Sequence, residues 1–236
     1  MTDSFYHGTT MGKGFDRNPV LAAQAQQFAR YLVDRPGRAL HVLDLGCGAG
    51  TPTRHVMADR QRYRVVGADL SSTAIDAYVQ ATSRPAVRLD AQRLPFADAS
   101  FDVVVSDDVI EHLVDTDAYA KEIRRVLVPH GWLFLSTPNL AAWFNRLSLL
   151  VGIQPAFTEV SFERIFGRPG SDIVGHLRLF TSRAIREFLE HHDFRLIDVR
   201  GVTFDALPPW ARTIDRWFAR ITSLAGNTVI VARAAG

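Results

Sequence analysis

Val42-Leu43-Asp44-Leu45-Gly46-Cys47-Gly48-Ala49-Gly50 sets the reading of this chain. A short apolar run ends in an acid, and glycine then recurs at every second position. That is the pattern of a buried strand stopping at a tight turn whose backbone comes close to a ligand. Thr51-Pro52 follows as an N-cap and first-turn pair for a helix. Strand, glycine turn and helix in this order make a nucleotide-cofactor corner. The dinucleotide fingerprint G-x-G-x-x-G places its third glycine where this chain has Thr51. Asp44 would repel a pyrophosphate and welcome an ammonium, so the expected ligand is a nucleoside carrying an amino acid. For the glycines taken alone, a purely structural strand-to-helix turn is the plain alternative.

Three more strand ends carry acids. Val65-Val66-Gly67-Ala68-Asp69, with Leu70 after it, ends roughly 20 residues past the turn, where a ribose-binding carboxylate belongs. Val87-Arg88-Leu89-Asp90 is followed by Ala91-Gln92, and Phe101-Asp102-Val103-Val104-Val105 by Ser106-Asp107-Asp108-Val109-Ile110-Glu111-His112. With these motifs in this order, the chain resembles the class I S-adenosylmethionine-dependent methyltransferases. The stretch from Asp90 through Leu94-Pro95-Phe96-Ala97-Asp98-Ala99-Ser100-Phe101-Asp102 to Glu111-His112 is similar to their small-molecule branch, which includes the quinone-biosynthesis O-methyltransferases. The likeness is continuous over about residues 40–138 and weaker to the end.

The resemblance implies a set of roles. The amides near Gly46, Cys47, Gly48 and Gly50 would approach the amino-acid end and ribose of S-adenosylmethionine. Asp44 would receive its ammonium, with the main-chain carbonyl near Ser106 or Asp107 completing the cage. Asp69 would accept both ribose hydroxyls, and Asp90 the adenine amino group, with Ala91 and Gln92 beside the ring. Helix N-capping is the alternative for Asp69 and Asp90. The sulfonium donor is already activated, so what remains is positioning and deprotonation of the nucleophile. His112, just past the fourth strand, is the first candidate base and His176 the second, each with a structural alternative. Some quinone O-methyltransferases bind magnesium at a Glu-x-x-Glu-His run here. On a helix, Asp108, Glu111 and His112 would share a face, but Asp108 is one methylene short. Magnesium is therefore an alternative and no metal ligand is assigned.

The expected product is a methylated small, fairly apolar acceptor: a quinol, phenol, natural product or glycolipid-like molecule, modified at a hydroxyl oxygen. The alternatives are transfer to nitrogen or carbon, an NAD(P)-dependent Rossmann oxidoreductase, and a binding protein that lost catalysis. A net charge of +2, with Lys13 and Lys121 the only lysines, argues against nucleic acid. One cysteine, Cys47, excludes a disulfide framework. The N-terminus lacks the pattern of a secretory signal, and no apolar run approaches the ~20 residues of a membrane span, so a cytoplasmic protein is expected, monomer or homodimer.

At 236 residues and 47 % apolar content the chain suits one domain. Helix Val20–Val33 precedes strand Leu40–Leu45, helix Pro52–Arg60, strand Arg64–Ala68, helix Ser72–Ala81, strands Ala86–Leu89 and Phe101–Val105, helix Thr116–Leu127 and strand Gly131–Ser136. This alternation predicts an α/β fold: a Rossmann-like, doubly wound seven-stranded sheet, mostly parallel, with helices on both faces. Residues 140–175 carry Trp143, Phe144, Leu147, Leu150, Ile153, Phe157, Phe162 and Phe166 among Pro and Gly, and read as a helical lid over the substrate. Helix Ser182–His191, strand Phe194–Val202, helix Trp210–Leu224 and strand Thr228–Ala232 close the sheet, the last strand antiparallel. Trp210, Ile214, Trp217, Phe218, Ile221 and Leu224 make an apolar stripe, read as core packing, with a membrane-surface helix as the alternative.

Overall fold

Alternating side chains on each central strand serve two different cores. Val42, Val103, Val105, Trp132, Phe134 and Val231 point to one face, where Phe28 and Leu32 of the first helix cover them. Leu43, Leu45, Val104, Leu133, Leu135, Ile230 and Ala232 point to the other, beneath Tyr119, Ile123, Val126, Ile185 and Leu189. A sheet covered on both faces has this two-sided apolar pattern. The computed structural model describes residues 18–32, 38–169, 173–204 and 207–236. Val33 of the expected first helix and residues 170–172 of the expected lid lie outside them.

The elements run α1 (Pro19–Leu32), β1 (Leu40–Leu45), α2 (Thr51–His55), β2 (Tyr63–Asp69), α3 (Ser72–Thr82), β3 (Ala86–Arg88) and β4 (Phe101–Asp107), then α4 (Thr116–Val126), β5 (Leu127–Pro138), α5 (Trp143–Leu150), α6 (Ser182–His191), β6 (Phe194–Val202), α7 (Arg212–Phe218) and β7 (Asn227–Ala234). Single 3-10 turns lie at Ile110–His112 and Pro209–Ala211. Local signals explain the helix starts: Ser71, Asp115 and Thr181 cap α3, α4 and α6 by accepting the amides of Ala74, Ala118 and Ala184.

The seven strands form one sheet in the order β3-β2-β1-β4-β5-β7-β6. Strands β1 to β5 pair in parallel, and β7 slots between β5 and β6, antiparallel to both. The chain reverses direction across the sheet between β1 and β4. At such a switch point the loops beyond the strand ends part and leave a crevice.

Two expected helices differ, each for a visible reason. Thr51 is the first residue of α2, and Gly50, at φ 75°, is its N-cap. The helix stops at His55 rather than Arg60, because Arg84 takes the carbonyls of Met57 and Ala58 (2.7 and 3.1 Å) and Asp59 accepts the amide of Gln61 at 2.9 Å, side-chain bonds that compete with further turns. The last helix spans seven residues, not Trp210–Leu224. Beyond it, the carbonyls of Thr222 and Ala225 are taken by Ser182 (2.8 Å) and Asn139 (2.8 Å). The stripe on this helix is not core, since Trp210, Ile214, Trp217 and Ile221 are exposed. The inward face is that of Asp215, which accepts Trp143 Nε1–H and the Phe204 amide, both at 2.8 Å.

Candidate active site

All three glycines of the corner have left-handed φ, from 49° to 75°, so a side chain at any of them would be strained. They differ in what surrounds them. A Cβ on Gly46 would lie 2.2 Å from Val109 Cγ2, and one on Gly50 2.5 Å from Thr82 Cγ2. A Cβ on Gly48 would meet no atom of the described residues within 4 Å, so of the three this glycine borders open space among them. The amides of Gly46 and Cys47 both donate to the carbonyl of Ala68, at 2.7 and 2.9 Å, tying the turn to β2. Cys47 is buried and burial pushes its thiol well up, which makes it a packing residue rather than a nucleophile.

Asp44 ends the buried part of β1 with only 2 % of its surface exposed. Thr53 Oγ1 donates to it at 2.5 Å and stands 3.0 Å from the Tyr78 hydroxyl, so with its one proton committed, Thr53 accepts from Tyr78. Desolvation is the chief reason its carboxyl rises to about 7, and the charge of Asp69 adds to it. Asp107, at the end of β4, rises to about 8 through desolvation and then the charge of Asp108. Gln24 Nε2 of α1 donates to Asp107, and Ser136 Oγ lies 3.0 Å from Asp107 and 3.1 Å from Asp108, one hydroxyl proton between two carboxyls. Two acids held in raised-pKa sites at the switch point make a place where a cation is favoured. The Ser106 hydroxyl accepts from Tyr119 at 2.7 Å on the opposite face, so its side chain points away from this corner.

Asp69 is not a helix cap; Ser71 has that role. The two Asp69 carboxylate oxygens accept the amides of Ser71 (2.9 Å) and Gly48 (3.0 Å), which places the carboxylate against the open glycine. The neighbouring Leu70 is partly exposed and its carbonyl accepts from Arg88 at 2.8 Å. Asp90 is exposed at the next strand end and accepts the amide of Gln92 at 2.9 Å and its side-chain amide at 3.0 Å, with Ala91 between them half-buried. Asp44, the glycines, Asp69, Asp90 and Asp107 therefore lie along one edge, the C-terminal ends of β1 to β4.

The run after β4 departs from expectation. Asp108 has φ 51° and only Ile110–His112 make a helical turn, a 3-10 one, so Asp108, Glu111 and His112 do not share an α-helical face. His176 comes in instead: the His112 and His176 ring centroids are 4.8 Å apart, and one ligand-type atom from each of Glu111, His112 and His176 lies within 4.8 Å of the others. Glu111 is fully buried, and desolvation holds its carboxyl well above the usual range. Its Oε2 accepts from Thr137 at 3.0 Å, and its backbone carbonyl accepts the amides of Leu177 (2.7 Å) and Arg178 (3.0 Å). Burial lowers His112, and lowers His176 to about 4, the neighbouring His112 adding to the effect. Both imidazoles are therefore neutral at pH 7, the form that can accept a proton. Glu159 shapes the strap that carries His176, accepting the amides of Val174, Gly175 and His176 at 2.8, 2.7 and 3.3 Å.

One aromatic ring, Phe157, lies against this cluster, and two more pack behind it. Phe157 lies 5.9 Å from His176 and 4.8 Å from Phe204, and Phe144 5.8 Å from Phe204, by ring centroids. Of the large apolar groups expected to line a lid, Trp143 and Phe157 are buried and Phe144 half-buried, but Leu147, Leu150, Ile153, Phe162 and Phe166 are exposed. One helix, α5, forms in this stretch, and the rest lacks regular structure among the described residues. Sequence reasoning missed Gln24, Thr53, Tyr78, Thr137 and Glu159. Tyr78 had a signal, a bulky ring one turn from the end of a helix facing Gly67, where a Cβ would come within 2.6 Å of the ring; Glu159 had none.

A methyltransferase-domain family profile matches residues 43–135. A ubiquinone biosynthesis O-methyltransferase of Brucella anthropi is 27 % identical over 187 residues, 77 % of this chain and 71 % of that protein. Among solved structures, a methyltransferase of Methanosarcina mazei superposes with TM-score 0.62 at 20 % identity, covering 86 % of this chain and 96 % of that one. The Burkholderia thailandensis 1,6-didemethyltoxoflavin-N1-methyltransferase, solved with its acceptor and S-adenosylhomocysteine, gives 0.58 at 19 %, covering 92 % and 79 %. Among the described residues no helix is long and apolar enough to cross a membrane.

Proposed function

We propose that this chain, which belongs to the class I S-adenosylmethionine-dependent methyltransferases, transfers the methyl group to a hydroxyl oxygen of a small, fairly apolar acceptor. The reading rests on one observation: two imidazoles and a buried carboxyl converge beside Phe157, in a place where the charges of Asp108 and Asp107 reach Glu111. Asp44 and Asp107 receive the cofactor's ammonium, Asp69 its ribose hydroxyls and Asp90 with Ala91 and Gln92 its adenine. The described residues of the 140–175 stretch, 140–169 and 173–175, form the lid over the acceptor.

A phenol of pKa ~10 is mostly protonated at pH 7 and needs activation. His112 and His176 are the catalytic residues: the acceptor hydroxyl meets them and gives up its proton there. The oxygen then attacks the methyl carbon in line with sulfur. A C–O bond forms as the C–S bond breaks, and the sulfonium leaves as a neutral thioether. An apolar ring beside the reacting groups favours a step in which charge disappears. The name of the Brucella anthropi relative supports oxygen as the nucleophile.

Methyl-13C-labelled cofactor and a panel of catechols, hydroquinones and hydroxylated lipids test this by NMR of the products. The expected product carries the label as an O-methyl group. Label on nitrogen or ring carbon, or a cofactor-bound enzyme that methylates no hydroxyl in the panel, would contradict it.

A further inference from the structure

The magnesium alternative requires hard oxygen ligands in an octahedron, and the structure does not assemble them. Asp108 stands 3.1 Å from Ser136 Oγ, on the side of β5, and is not among the atoms that converge. The three that do are one carboxylate oxygen and two imidazole nitrogens, from Glu111, His112 and His176. We propose that these three residues bind a first-row transition-metal ion of the zinc class, and that magnesium is not the ion of this site.

Three observations carry the assignment. Glu111 Oε1 is buried with no hydrogen-bond partner among the described residues, a costly state for a carboxyl oxygen unless a cation is what it serves. Each histidine places Nδ1 3.1 Å from a backbone carbonyl, His112 facing Gly175 and His176 facing Phe157. A carbonyl only accepts, so each Nδ1 carries the hydrogen and Nε2 is the unprotonated nitrogen, the tautomer that orients metal-ligating histidines. Finally, the elements are fastened to one another before any ion arrives: the Glu111 carbonyl holds the Leu177 and Arg178 amides, and Glu159 holds the amides on either side of Gly175.

Zinc–nitrogen bonds of ~2.0–2.1 Å put tetrahedral ligands about 3.4 Å apart, so the three atoms would close inward by roughly 1 Å. Three protein ligands leave a fourth position open, as catalytic sites of this metal do. This deepens the proposed function and rests on it for its purpose. With an ion bound, Glu111, His112 and His176 would hold it, and the ion would take over the activation of the acceptor hydroxyl that the imidazoles give without it, by lowering that hydroxyl's pKa.

The test uses the full chain, stripped with a chelator, without cofactor or acceptor. Calorimetric titration with zinc should show one site, and magnesium at millimolar concentration none. His176→Gln and Glu111→Gln should each weaken zinc by more than the ~10–100-fold typical of losing an outer-shell partner, whereas Asp108→Asn should bind like the wild type. Because Glu111→Gln touches the core, circular dichroism checks its fold, and cobalt loading provides a second readout through the visible spectrum of a low-coordinate site. The proposal is overturned by a wild type that takes no zinc, by zinc binding unchanged in His176→Gln, or by magnesium binding that Asp108→Asn abolishes. Zinc binding without methyl transfer would overturn the proposed function and leave the metal site standing.

Discussion

The glycine corner and the His112–His176 cluster sit at the same edge of the sheet but are fastened differently. At the corner, Gly46 and Cys47 hang from the Ala68 carbonyl and Gly48 from Asp69, so strand ends that the sheet already fixes hold the turn. At the cluster, one 3-10 turn and a strap without regular structure hold each other through Glu111, Gly175 and Glu159. The first region is specified by residues close in sequence to the strands that carry it. The second exists only after residues 111 and 176 have been brought together. That division suits an enzyme in which one half keeps a common cofactor and the other is shaped for a particular acceptor.

The sharpest way to break the comparison is Gly48→Val. A Cβ there meets no atom of the described residues within 4 Å, but φ is 49° and the open volume is the one assigned to the cofactor. Cofactor binding should be lost altogether while the fold survives with a cost of ~1–2 kcal/mol for the left-handed residue. Unchanged affinity by calorimetry would remove the ligand from that side of the turn.

Next in size is His112→Gln, which should leave cofactor affinity within a few-fold of wild type and lower turnover by ~10²–10⁴-fold, the range of acid–base contributions. The loss should shrink with acceptors acidic enough to ionise unaided. Equal losses in affinity and turnover would mean that the two regions are one site rather than two.

The smallest expected effect concerns pH. Asp44 and Asp107, at about 7 and about 8, lie above the ordinary value of 3.8. An acid raised in the folded state contributes stability that is fully present below its ordinary pKa and is lost as pH rises through the folded one. The cofactor-free protein should therefore lose a few degrees of Tm between pH 4 and 8. Added S-adenosylmethionine should restore more of it as pH approaches 7–8, because its ammonium pairs with the carboxylates that have ionised. Above that the gain should fade as the ammonium itself loses its proton, at ~7.7–8.0. Asp44→Asn should flatten part of the trend; a Tm profile identical in wild type and variant would show that Asp44 carries no such load.

How much was legible in the sequence follows the same division. The strand ends at Asp44, Asp69, Asp90 and Asp107 could be read because acid after apolar run is a local pattern, and the sheet brings such ends together by its topology. His176 could be named as a candidate but not placed, since its partner Glu111 lies 65 positions earlier and the strap joining them has no periodicity. The Asp108–His112 run was misjudged because i, i+3, i+4 spacing matters only on an α-helix, and the left-handed Asp108 prevents one. The stripe on α7 was misjudged because buried Asp215, with its bonds to Trp143 and Phe204, turns a different face inward.

The central claim is that the glycine corner is built for a nucleoside bearing an amino acid. Titrating the wild-type chain with S-adenosylmethionine and with NAD in the same buffer tests it most directly. The account predicts saturable one-to-one binding of S-adenosylmethionine and no heat from NAD at the same concentrations. Preferential binding of NAD would contradict it.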